Sequence, residues 1–167
     1  MKILLVCQHE GVSHQVHGAL LGEPDIELAQ VRTPHRAVQV LRDEPGGYDL
    51  VLADGDLHPE GGFSLSRDVK AHARMGRPMP PVLLLVAREQ DRWLASWSEA
   101  DATVLKPLDP FDLAATVRAV AGGHAPPELP GVHSGARWAN PLDSQPGSRP
   151  IESGRPAGDG EGARDDG

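Results

Sequence analysis

Two residues of this chain stand where an open α/β sheet places its reactive groups. Asp54 closes the apolar run Leu50-Val51-Leu52-Ala53, and Lys106 closes Thr103-Val104-Leu105. Ligands of such sheets sit in the crevice outside the carboxyl ends of the strands. A carboxylate there can act as a nucleophile or hold a cation, and a lysine ammonium is a compact charge for a transferring phosphoryl group. The plainer alternatives are a solvated strand-end acid and a surface lysine.

The elements that must position this pair alternate up to about residue 122. Ile3 to Val6 is a continuous apolar run, expected for a strand buried on both faces of a parallel sheet. Ser13 is read as the cap of a first helix with Val16, Ala19 and Leu20 inward. A weaker strand follows at Ile26 to Val31. Thr33-Pro34 and Asp109-Pro110 are cap-plus-proline signals that open the second and last helices. Phe63, Leu65, Val69 and Ala73 predict a third helix. Val82 to Val86 is the strongest strand, and a short helix carries Trp93 and Trp97, one of which is expected to pack on the sheet. Five β-α units in alternation imply an α/β fold with helices on both faces of a parallel sheet.

Composition bounds the rest. A chain of 167 residues allows one domain and a tail. A net charge of -8 argues against a nucleic-acid binder, whose footprint is a basic face. The single cysteine, Cys7, rules out an internal disulfide and fits a reducing compartment. The first apolar run is too short for a membrane span or secretory core, so a cytoplasmic protein with no membrane partner is expected. From residue 123 to 167, proline, glycine, serine and arginine prevail without periodicity, and the segment is expected to be a disordered tail with Trp138 as a solvent-exposed aromatic.

With an Asp at the end of strand three and a Lys-Pro at the end of strand five, residues 1–122 resemble the receiver domain of bacterial response regulators. Gly62, eight residues after Asp54, stands where receivers carry the glycine that opens helix three, and Ala100-Asp101-Ala102 stands at their alanine-rich lead into strand five. The resemblance implies a flavodoxin-like, CheY-like fold with a five-stranded sheet of order 2-1-3-4-5. It also implies a part in two-component phosphorelay signal transduction rather than an enzyme's activity, with Asp54 taking a phosphoryl group from a histidine kinase. Lys106 would contact the phosphoryl oxygens, and the Lys106-Pro107 bond would be cis.

The chain also departs from that pattern. The acidic pair that holds magnesium in receivers is Cys7-Gln8 here, and neither side chain is a good hard-cation ligand. Asp54, Asp56 and Glu10 are the remaining candidates, so magnesium binding is expected to be weak. Val86 replaces the Ser or Thr whose hydroxyl follows the phosphoryl group, and Thr103 stands at the aromatic switch position. The loop proline falls at Pro59, after His58. These losses point to an atypical or pseudo-receiver that acts through a protein partner, with a kinase, a separate output protein, or a second copy meeting the fourth helix and fifth strand.

Two other readings are open. One is an ordinary phospho-accepting receiver with substitute ligands. The other is an enzyme resembling low-molecular-weight tyrosine phosphatases, with Cys7 as nucleophile and Asp109 as acid; Ser13 stands there in place of the required arginine. His14 and His17 share a helical face without a metal-site pattern and read as a solvated surface.

Overall fold

The computed structural model describes residues 1–138. Along the chain lie β1 (Lys2–Val6), α1 (Glu10–Leu20), β2 (Glu27–Val31), α2 (Pro34–Asp43), β3 (Leu50–Asp54) and α3 (Gly61–Arg74). They are followed by β4 (Val82–Val86), α4 (Arg92–Trp97), β5 (Ala102–Leu105), α5 (Pro110–Ala121) and β6 (Val132–Ser134). The sheet order is β2-β1-β3-β4-β5-β6. The first five strands are parallel, in the expected order. Every residue of β3 and β4 is buried, which is why those runs are apolar without alternation.

Successive residues of each strand feed opposite cores. Ile3, Leu5, Leu50 and Leu52 pack with Val16 and Leu20 of α1 and Leu113, Val117 and Val120 of α5. Leu4, Val6, Val51 and Ala53 pack with Ala37 and Leu41 of α2 and Leu65 and Val69 of α3. Two caps form as their sequence signals predict. Thr33 accepts a hydrogen bond from the Arg36 N–H, and the Asp109 carboxylate accepts from the N–H groups of Phe111 and Asp112.

Ser13 is not a cap. Helix α1 begins at Glu10, without a side-chain cap at His9, and the acid in its first turn complements the helix dipole. The Ser13 hydroxyl instead donates to Gln30 Oε1 at 2.8 Å, tying α1 to β2. Trp93 and Trp97 also differ from expectation, being 66% and 50% exposed. Helix α4 is only six residues long and turns Ala95 inward, so a tryptophan pair at i and i+4 lies outside. The Arg67 guanidinium covers the Trp97 ring at 4.2 Å.

The largest correction concerns the expected five-stranded sheet and the boundary at 122. A sixth strand, β6, runs antiparallel along β5 and closes that edge. Gly131 O accepts from the Leu105 N–H, and Asp101 O accepts from the N–H of Gly135 and from Trp138 Nε1 at 2.9 Å. Val132 is buried in the α1/α5 core, with Leu129 against it. A Cβ on Gly135 would overlap the main-chain oxygen of Ala100, so only glycine lets the strap lie this close. Residues 123–138 are thus not a disordered tail, because an edge strand and a buried aspartate offered them partners. The disorder expected for the remainder falls on residues 139–167, outside the described residues.

Candidate functional site

The carboxyl edge of the sheet brings Asp54 and Lys106 together. Asp54 is fully buried, and its Oδ1 accepts from Lys106 Nζ at 2.8 Å and from the Asp56 N–H at 3.1 Å. Lys106 Nζ also donates to Asp56 Oδ2 at 3.1 Å. Lys106 is held at this edge by its main chain, whose N–H continues the β4 ladder to Val86 O; the peptide to Pro107 is cis. Gly62 seats α3 directly on the end of β3, since a Cβ there would overlap the Asp54 main-chain oxygen. The requirement for glycine at this place is therefore steric.

Burial of the Lys106 ammonium works against its charge, but hydrogen bonds to Asp54 and Asp56 outweigh it and raise its pKa above the ordinary value. A raised lysine stabilises the fold fully below the unfolded-state value of about 10.4 and loses that contribution as pH rises through the folded value. Lys106→Met is accordingly expected to lower Tm at neutral pH, with the gap from the parent narrowing only above about pH 10.4. Thermal melts across the alkaline range check this; a gap already closing near neutrality would remove Lys106 from the ion pair.

The end of β1 gives this site little for a hard cation. Cys7 is fully buried; its thiol donates to His9 O at 3.2 Å and lies 3.9 Å from Asp54 Oδ2. Burial, with the Asp54 charge adding to it, pushes its pKa up, leaving a protonated soft ligand. Gln8 turns away from Asp54 to His58, where Nε2 donates to the carbonyl at 2.6 Å and Oε1 accepts from the N–H at 3.0 Å. Glu10 is exposed and lines a separate cleft with His14, His17 and Arg32. The expected trio of Asp54, Asp56 and Glu10 is not assembled, and no group of three or more His, Cys, Asp or Glu side chains fit to hold a metal occurs among the described residues. The carboxylates of Asp54 and Asp56, both engaged by Lys106, are the oxygen donors at this edge, and magnesium takes oxygen ligands in near-ideal octahedral geometry.

Val86 and Thr103, the positions expected to carry a switch, are both buried. Val86 is buried at the end of β4 and presents no donor. Thr103 is buried on β5, opposite His133 of β6, and its Oγ1 has no hydrogen-bond partner. His133 Nε2 lies 3.3 Å from Glu89 Oε1 without forming a hydrogen bond. The face beside Thr103 is thus partly roofed by the strap, leaving a groove of about 600 Å³ bordered by Trp93, Thr103 and His133.

No family model matches the chain. Two uncharacterised response regulatory proteins, from two strains of Mycobacterium tuberculosis, are each 37% identical over 94 residues, 56% of this chain and 67% of theirs. The chain belongs to the response-regulator receiver family. Solved receivers agree in fold. The receiver domain of a signal transduction histidine kinase from Syntrophus aciditrophicus matches with a TM-score of 0.61 and 25% identity, over 73% of this chain and 90% of that one. A match with a TM-score of 0.63 and 16% identity covers 73% of this chain and 89% of the other. It comes from the co-crystal structure of a Saccharomyces cerevisiae histidine phosphotransfer protein and the receiver domain of its downstream response regulator.

Receivers are signalling proteins, and Cys7 of this receiver lacks the setting of a phosphatase nucleophile. Its thiol is buried, its pKa is raised, and Ser13 is engaged with Gln30. No helix among the described residues is long and apolar enough to cross a membrane. Sequence reasoning missed Asp101 as a junction. Its Oδ2 accepts from Lys70 Nζ at 2.5 Å and from the Val82 N–H at 2.7 Å. An acid at the mouth of the short, largely buried strand β5 was the available signal.

Proposed function

We propose that this receiver is an atypical one, working in two-component signalling through protein contacts, with Asp54 accepting a phosphoryl group poorly. The observation that carries this is the β1 end: a buried thiol and an amide committed to His58 stand where a cation would need carboxylates. In the phosphorylation step an Asp54 oxygen attacks phosphorus while the bond to the donor's leaving group breaks. Without a divalent cation, only Lys106 neutralises the charge that gathers there. The Lys106 ammonium is the phosphoryl contact in this reading, and Val86 gives the phosphoryl oxygens nothing to pull. The upstream partner is a histidine kinase or phosphotransfer protein, and output passes to a separate protein.

A second reading, a conventional phospho-acceptor with substitute ligands, is favoured by Asp56, whose carboxylate shares Lys106 with Asp54. One experiment separates the two. The parent and Asp54→Asn are incubated with acetyl phosphate and magnesium, and acyl phosphate on the chain is followed by intact mass. Labelling of the parent is expected to be at least about a hundredfold slower than for a receiver with the acidic pair, the scale of losing one group that stabilises transition-state charge. Rapid labelling that Asp54→Asn abolishes, with tight magnesium binding by the parent, would establish the second reading.

A further inference from the structure

Gln8 makes two hydrogen bonds that its residue type does not require. The main chain before it is held from the β2 side: Cys7 N–H donates to Val31 O, and Gln30 Nε2 donates to Cys7 O at 3.4 Å. From that fixed base the side chain crosses the gap between β1 and β3, the point at which strand order reverses. It gives its amide hydrogen to His58 O at 2.6 Å and takes the His58 N–H at 3.0 Å. A primary amide that both donates to and accepts from one residue's main chain imitates a bridge between strands, fixing distance and orientation together. The loop it grips is the one that carries Asp56, two residues before His58, and Asp56 N–H in turn donates to Asp54 Oδ1.

We infer that Gln8 is a positioning residue that clamps the Asp54–His58 loop to the end of β1, so that the arrangement of Asp54, Asp56 and Lys106 holds without a metal ion. A neutral amide suits this place because it supplies both a donor and an acceptor and adds no negative charge beside two carboxylates. A carboxylate at position 8 has no proton for His58 O and brings a third like charge to the site. Aspartate at that position needs a cation to draw the two loops together, whereas glutamine joins them directly. The functional consequence rests on the reading of this receiver as metal-poor, but the clamp itself is read separately.

The test follows exchange of the His58 and Asp56 amides by hydrogen-exchange NMR in the parent, Gln8→Ala and Gln8→Asp, each with and without magnesium. Position 8 is partly exposed, so both variants are expected to fold; amides of Leu52 and Leu84 in the core serve as the internal standard. His58 exchange is expected to quicken at least tenfold in Gln8→Ala with magnesium making no difference, and to stay slow in the parent either way. In Gln8→Asp it is expected to be fast without magnesium and slowed about tenfold with it, because the cation then performs the task the amide had. Unchanged His58 exchange in Gln8→Ala overturns the clamp, as does a Gln8→Asp rate that magnesium leaves untouched. A parent that binds magnesium tightly while Gln8→Ala still loosens the loop overturns the metal-poor reading and leaves the clamp standing.

Discussion

A chain ending at Gly123 is expected to melt about 10 °C below one ending at Trp138, the reference that keeps every described contact. The loss has three parts. Val132 returns to water from a site where it is 7% exposed, a cost of about 1.5 to 3 kcal/mol for a side chain of this size. The indole hydrogen bond from Trp138 to Asp101 O contributes about 1 kcal/mol net. The β5 edge, paired by β6 over Ala102 to Val104, is left open. About 3 kcal/mol in total corresponds to about 10 °C at about 4 °C per kcal/mol for a domain of this size. Differential scanning calorimetry of the two chains decides it. Equal melting temperatures would mean that the strap rests on the domain without stabilising it.

This strap is also the part of the fold that was hardest to read from the residues. The first five strands are legible because continuous runs such as Val82 to Val86 admit few alternatives, and the pairing of Asp54 with Lys106 follows from two charges at the same edge of a parallel sheet. Strand β6 has only three residues, too few for a period, and proline and glycine flank it. Its stability comes from partners about thirty residues away, Ala102 to Val104, so no local propensity announces it. The same reason hides Gln8: its partner is the main chain of His58, and a main-chain group leaves no signature in the residue types. The exposure of both Trp93 and Trp97 is not legible in the residues either, because an i, i+4 aromatic pair is equally consistent with either face of a helix. Only the inward turn of Ala95 decides it.

Asp101 is where the strap, β4 and α3 meet, and its removal is expected to cost more than any surface change. Its side chain is 1% exposed, with Oδ2 held by Lys70 and the Val82 N–H and Oδ1 3.5 Å from Arg137 Nη1. At that length the Arg137 contact is ionic rather than a hydrogen bond. Asp101→Ala leaves the buried Val82 N–H without a partner and the Lys70 ammonium without its counter-charge, a loss of about 3 to 5 kcal/mol by analogy with other broken buried pairs. Tm is expected to fall by more than 10 °C, since each kcal/mol is worth about 4 °C. Asp101→Asn keeps an oxygen for Val82 and gives up only the charge, so its fall is expected to be smaller. In the chain ending at Gly123, Asp101 loses Arg137 and the cover of the strap, and water can replace part of what its carboxylate supplied. The two changes together are therefore expected to cost about 1 kcal/mol less than their sum, the coupling of groups that share partners. Urea melts of the four proteins measure this directly. Strict additivity would show that the strap and the aspartate stabilise the sheet independently, and the junction at the mouth of β5 would then be two neighbouring contacts rather than one.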